Sequence, residues 1–166
     1  MKRRLFLQMS SAALAGALAT RVSAQSGAPA PSSAIGKVEK TPAEWRKVLT
    51  PEQFHILREE GTEWAGTSPL NKEKRNGSYA CVGCDLVLYS SATKFDSGTG
   101  WPSFYDAIAG HIASEINPKN LKNAMQYTEM HCARCGGHHG HIFADGPKPT
   151  GLRYCSNGAV LKFIPA

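Results

Sequence analysis

Five cysteines carry most of the chemistry open to this chain. Four of them form two C-x2-C pairs, Cys81-Val82-Gly83-Cys84 and Cys132-Ala133-Arg134-Cys135, with 47 residues between Cys84 and Cys132. Each pair holds two sulfurs on a tight turn, which Gly83 and Gly136 ease. Four thiolates suit a tetrahedral zinc ion at a Zn–S distance of about 2.3 Å, and a site closed in this way staples a fold rather than catalysing a reaction. Two disulfides, or a bound iron, are the alternative readings of the same residues. The fifth cysteine lies in Arg153-Tyr154-Cys155-Ser156-Asn157. It is either a small buried hydrophobe or a reactive thiol. Two neighbours speak for reactivity. Arg153 is two residues away in an extended segment and so shares its face. The turn Gly136-Gly137-His138-His139-Gly140-His141 lies a short loop upstream. A cation or imidazole beside a thiol raises its thiolate fraction, and the thiolate is the nucleophile. The same histidines can equally serve as metal ligands.

Short helices and strands must position these groups. Thr41-Pro42-Ala43-Glu44 and Thr50-Pro51-Glu52-Gln53 each place Thr at an N-cap, Pro at the first helical position and an acid or amide at the third. One helix is expected over 42–48 and another over 51–60, ending at Gly61. Trp45, Val48 and Leu49, then Phe54 and Leu57, supply their packing faces. From Gly77 onward the pattern is that of strands. The expected strands are Ser78–Cys81, Leu86–Ser90, Ala124–His131, His141–Phe143, Arg153–Ser156 and Val160–Ile164, punctuated by Gly, Pro and Asn. A small antiparallel β-domain with N-terminal helices fits this order better than a βαβ unit. No internal repeat is present.

The N-terminus is of another kind. Lys2-Arg3-Arg4-Leu5-Phe6-Leu7 opens it, a small-residue and apolar stretch follows from Met9 to Thr20, and Val22 and Ala24 form a small-x-small end. This reads as a signal peptide over residues 1–24, cleaved after Ala24, with an amphipathic helix as the alternative. Arg3-Arg4 resembles the twin-arginine export motif, so a periplasmic or otherwise exported protein is expected, with general secretion as the alternative route. Residues 25–40, rich in Ser, Ala, Pro and Gly, read as a flexible leader to a domain over 41–166. Four of the 19 basic residues and none of the 13 acidic ones lie in the first 24, so the rest of the chain carries +2 rather than +6. Nucleic-acid binding thereby loses its support in composition. No apolar run reaches the ~18–20 residues of a membrane span, so no stable membrane anchor is expected.

The motifs together resemble one family. C-V-G-C at 81–84, F-D-S-G-T-G-W-P-S-F at 95–104, C-A-R-C-G-G-H-H-G-H-I-F at 132–143, D-G-P-K-P-T-G at 145–151 and R-Y-C-S-N at 153–157 are similar to the B-type methionine sulfoxide reductases. The likeness extends over residues 42–165. It implies a mainly β fold of two antiparallel sheets, a small zinc-stapled barrel or sandwich of β-tent type with short N-terminal helices. It implies thiol-dependent reduction of methionine-R-sulfoxide, mainly in oxidised proteins, with protein repair as the outcome. By position, Cys155 is the nucleophile. Trp101 is the apolar wall for the substrate methyl group, with Phe143 beside it. His138 and His141 line the pocket and handle the oxide proton, and Arg153 and Asn157 complete the site. Cys81, Cys84, Cys132 and Cys135 hold one structural Zn2+.

The residue types suit that chemistry. Sulfoxide sulfur becomes electrophilic when its oxygen is protonated or strongly hydrogen-bonded, which a histidine can provide. The thiolate then attacks, methionine leaves, and Cys155 remains as sulfenic acid. Two positions depart from the family pattern. Thr99 stands where many members carry a second, resolving cysteine, and Gly158 where Ser is usual. An external reductant, a thioredoxin-like protein or a small thiol, is therefore expected, and the replacement at 158 is expected to be tolerated. A monomer is expected. Two rival classes remain at this point: a zinc-stapled β-domain that binds peptides or partners without turnover, and a thiol–disulfide oxidoreductase working through C-x2-C.

Overall fold

The structure, a computed structural model, describes residues 35–116 and 128–166. The expected signal segment, residues 25–34 of the leader and residues 124–127 of one expected strand lie outside the described residues. Contacts of the domain begin ahead of Thr41: the Val38 amide donates to Arg134 O at 2.9 Å and Lys37 Nζ to Ala133 O at 2.9 Å. No helix among the described residues is long and apolar enough to cross a membrane.

The two α-helices form where their caps predict, α1 at Pro42–Val48 and α2 at Pro51–Glu59. Both carry complete capping boxes. The Glu44 amide donates to Thr41 Oγ1 and the Thr41 amide to Glu44 Oε2, and Thr50 and Gln53 repeat the exchange. Each box satisfies two amides that a helix start would leave without partners. Helix α2 ends one residue early because Glu60 itself takes the left-handed conformation at φ 57°. The buried helix residues are Trp45, Leu49, Phe54, Ile56 and Leu57; Val48, expected to pack, is 60 % exposed, and Ile56 takes up the buried role instead.

Nine strands follow among the described residues: β1 Gly77–Cys81, β2 Val87–Ser90, β3 Lys94–Phe95, β4 Ser103–Phe104, β5 Ile112–Ile116, β6 Thr128–Cys132, β7 His138–Phe143, β8 Arg153–Ser156 and β9 Leu161–Pro165. They form two antiparallel sheets, one in the order β2-β1-β9 and one in the order β3-β4-β8-β7-β6-β5. The expected mainly β fold with short N-terminal helices is therefore observed. Strands β3, β4 and β5 are additions to it. The first two have two residues each, too few for an alternating pattern. The third is an edge strand whose Ala113, Ser114 and Glu115 are exposed.

Aromatic residues from both sheets meet in one core. Tyr89 stacks on Phe104 with centroids 4.1 Å apart, Tyr79 meets Phe104 edge-on at 4.9 Å, and the Tyr89 hydroxyl donates to Met130 Sδ at 3.3 Å. Each such ring, fully buried, contributes about 1.5–3 kcal/mol by leaving water. The helices cover the cysteine turns. A Cβ on Gly137 would lie 2.7 Å from Leu57 Cδ2, and one on Gly83 would touch both Leu57 and Trp45.

Candidate active site and metal centre

The two C-x2-C turns converge. Cys81 Sγ lies 3.7 Å from Cys135 Sγ, and Cys84 Sγ 3.4 Å from Cys132 Sγ, so each short contact joins different turns. All four sulfurs lie within 4.8 Å of one another. A tetrahedral ion with bonds of about 2.3 Å sets its ligands about 3.8 Å apart, whereas a disulfide needs about 2.05 Å. The four cysteines are thus placed to hold a structural metal ion. Hydrogen bonding from Cys132, then from Cys81 and Cys84, pushes the Cys135 thiol far below its ordinary value. Arg58 Nη2 donates to Cys135 O at 3.0 Å while its guanidinium lies over the Trp45 ring, and Arg134 Nη1 donates to Cys84 O at 3.1 Å.

Strand register assembles a second site on the larger sheet. Cys155 of β8 sits between Ser103 of β4 and His141 of β7. A pocket of about 140 Å³ opens above this row, lined by Thr62, Trp101, Gly140, His141, Phe143, Cys155 and Asn157. Five of the seven residues expected to catalyse or bind substrate thus line one cavity: Trp101, His141, Phe143, Cys155 and Asn157. Arg153 and His138 are buried outside its lining. Arg153 pairs twice with Asp145, at 2.8 and 2.9 Å, and its guanidinium carbon lies 4.2 Å from the centre of the Phe143 ring. His138 meets the ring of His141 edge-on at 5.4 Å. Gly140 is required here. At φ 141° it brings β7 so near β8 that any Cβ would overlap Cys155 O.

Electrostatics set the resting protonation. Burial pushes the Cys155 thiol up from its ordinary value, against the Arg153 charge and hydrogen bonds with Thr99, Arg153 and Ser103. Burial pulls His141 below its ordinary value, and takes His138 down to about 4, with the charges of His141 and His131 adding to the effect. Burial thus holds His138 as a neutral imidazole.

Other residues of this region are not singled out by sequence. Glu63 is 5 % exposed, and its carboxylate accepts from the Gly158 and Ala159 amides at 2.6 and 2.8 Å. Its own amide donates to Asn157 Oδ1 at 3.0 Å, and its carbonyl accepts from Trp101 Nε1 at 3.2 Å. One residue thereby ties two pocket walls together. Thr62 lines the pocket directly. Ser97 Oγ is bonded to both Thr99 Oγ1 and Ser103 Oγ at 2.8 Å, a chain of hydroxyls beside Cys155. No motif marks Glu63, and Asp145 opens the D-G-P-K-P-T-G motif without a role being read for it there. The only available signal is an acid inside an otherwise small-residue or turn-forming stretch. At Gly158 the space of a side chain is filled: a Cβ would overlap Ser68 and lie 3.1 Å from Pro102 Cγ.

A cysteine and a histidine share one pocket with an indole ring, beside a four-cysteine cluster on a two-sheet β scaffold, and residues 49–165 match the SelR domain. Three relatives named peptide methionine sulfoxide reductase MsrB show how far the likeness runs. That of Leptospira interrogans is 50% identical over 127 residues, covering 76% of this chain and 95% of the relative. That of Thiobacillus denitrificans is 52% identical over 126 residues, covering 76% and 94%. That of Methanosarcina barkeri is 52% identical over 129 residues, covering 76% and 87%. The chain belongs to the methionine sulfoxide reductase B family.

Proposed function

We propose that this chain is a peptide-methionine (R)-S-oxide reductase in which Cys155 is the nucleophile. The observation that carries the reading is the register of Cys155 against His141, under the Trp101 side of one small pocket. In the resting site both partners are neutral, a thiol and an imidazole. When sulfoxide binds, its methyl group rests against Trp101, where a sulfur–aromatic contact contributes about 0.3–1.5 kcal/mol and favours one epimer. His141 takes the Cys155 proton and passes it to the sulfoxide oxygen. The thiolate sulfur attacks the substrate sulfur and forms a transient S–S bond. The hydroxyl oxygen then passes to the Cys155 sulfur as that S–S bond and the substrate S–O bond break, so that methionine leaves and Cys155 remains as sulfenic acid. Two external thiols then complete the cycle: one forms a mixed disulfide with Cys155 and releases water, and the second releases Cys155 as thiol. Cysteine is reformed, and an external disulfide carries away the oxidising equivalents.

Thr99 supports the outside source of thiols. Its hydroxyl occupies the flank of Cys155, and every other cysteine of the chain belongs to the four-sulfur cluster. A thioredoxin-like protein or a small thiol fits as reductant, and oxidised methionine in proteins as the substrate. The four-sulfur set, with no oxygen or nitrogen ligand, favours one structural Zn2+ per chain, held by Cys81, Cys84, Cys132 and Cys135. Residues 1–24 support export by the twin-arginine route to the periplasm, where a monomeric repair enzyme would act. The deciding experiment offers each epimer of methionine sulfoxide with dithiothreitol to wild type and to Cys155→Ser. Wild type should consume only the R epimer, and the variant neither. Activity that survives in Cys155→Ser would remove the nucleophile.

A further inference from the structure

The sheet face that carries Cys155 and His141 continues one strand further into another group of ligating side chains. In the β6–β7 register Glu129 stands opposite His141, and His131 opposite His138. Glu129, His131 and His138 bring one ligand atom each into a common space, all within 4.8 Å of one another. Glu129 Oε2 and His131 Nε2 are 3.7 Å apart. That is too long for a hydrogen bond, and close to the about 3.4 Å that separates two ligands of one ion held at about 2.1 Å. The His131 and His138 rings meet edge-on at 5.5 Å. His138 is 2 % exposed, and among the described residues neither of its ring nitrogens has a hydrogen-bond partner, nor has His131 Nε2. Buried polar atoms are nearly always satisfied, so these nitrogens point to a ligand.

We propose that Glu129, His131 and His138 form a second metal site, for a divalent transition ion such as Zn2+, separate from the four cysteines. Two imidazoles and one carboxylate are a donor set that takes such ions and leaves positions open for water. The three side chains come from adjacent strands of one sheet, which presents them without loop rearrangement. The ion would lie behind the pocket, since the His138 ring packs against His141.

The test uses the zinc-loaded chain carrying Cys155→Ser, so that the pocket thiol cannot act as a ligand. Co2+ is titrated in and followed by its visible absorption. One equivalent should bind with ligand-field bands and without the thiolate charge-transfer band that marks cysteine ligation. Glu129→Gln and His131→Asn should each weaken binding by more than the about 10–100-fold that loss of a merely supporting partner causes. Imidazole proton spectra of the chain with this triad intact cover the case of a variant that fails to fold. The paramagnetic ion should shift the ring signals of His131 and His138 and leave those of His55 and His111 in place. No binding at millimolar ion, binding seen only through the charge-transfer band, or shifts confined to other histidines would overturn the site.

Discussion

Glu63→Gln tests whether one buried carboxylate holds the pocket together. In the native structure that carboxylate receives two backbone amides, from Gly158 and Ala159, at 2.6 and 2.8 Å. A hydrogen bond to a charged acceptor contributes about 1.5–3 kcal/mol. Glutamine keeps one oxygen and turns an NH2 group toward the second amide, so one bond is lost and a buried N–H faces another donor. Relief from burying a charge offsets part of this, because burial pushes the Glu63 carboxyl up from its ordinary value against the pull of those two amides. The net loss is about 1–3 kcal/mol, read as about 3–5 °C of Tm per kcal/mol in a domain of this size. The same substitution loosens the segment whose backbone holds Asn157 Oδ1 and Trp101 Nε1. A misplacement of about 1 Å in a catalytic wall can cost about 10²-fold in rate, so kcat/KM should fall at least about tenfold at a temperature where the variant is still folded. The measurements are thermal unfolding by circular dichroism and dithiothreitol-dependent reduction of methionine-R-sulfoxide. A pH series adds a further check. Burial raises the folded-state pKa above the ordinary 4.5, so the folded protein binds this proton more tightly than the unfolded chain. Wild-type stability attributable to Glu63 therefore grows as pH falls through the folded pKa toward 4.5, and the gap in Tm between the two proteins should widen there. A variant with wild-type Tm and wild-type kcat/KM would refute the assigned role.

Four other outcomes are expected. The neutral pair Cys155–His141 should give a bell-shaped profile of kcat/KM against pH. Its acid limb should lie below the ordinary imidazole value of 6.5 and its alkaline limb above the ordinary thiol value of 9.0, since burial lowers the one and raises the other. Arg153→Ala should move the alkaline limb higher still, because the lost guanidinium charge favours the thiolate; a rate that climbs through pH 9 without falling would instead make the free thiolate the reactive form. Gly158→Ala should lose about 1–3 kcal/mol in urea unfolding, because its methyl group must displace Ser68 against Pro102. Stripping metal with a chelator and a thiol-modifying reagent should release about one ion per chain. Near-ultraviolet circular dichroism should collapse with it; full metal loss without loss of tertiary signal would show that the four cysteines do not staple the fold.

The sequence makes some of this legible and hides the rest for physical reasons. Both helix starts can be read because capping is local chemistry: Thr at the cap, Pro next, and Glu44 or Gln53 three residues on decide it within one turn. The four metal-type cysteines are readable from C-x2-C spacing, and the closeness of Cys155 to the histidine turn from composition. Glu63 is hidden because its partners, Asn157, Gly158 and Ala159, lie 94 to 96 residues away, and no local pattern encodes such a pairing. The sequence places both His138 and His141 in the pocket. The structure brings only His141 to the lining, because a register irregularity between Met130 and His131 turns the start of β7, and His138 packs toward β6.

The four-cysteine cluster and the Cys155–His141 pair are parts of one mechanical unit. Cys132 ends β6 and Cys135 closes the turn that follows, where the Gly136 amide donates to Cys132 O and the Cys132 amide to Gly137 O, both at 2.8 Å. Strand β7 begins one residue later at His138, and three residues further His141 faces Cys155. An ion bound by the four sulfurs fixes this turn against Cys81 and Cys84, which belong to the other sheet's first strand and its exit turn. The position of His141 along β8 is thus set from the turn that ends four residues before it, at Gly137, and anchored across both sheets. A slip of one residue would turn His141 to the opposite face and remove it from the thiol altogether. Metal loss should therefore abolish reduction before it removes all β structure. In a graded chelation series, activity should follow bound metal, while far-ultraviolet circular dichroism lags behind both.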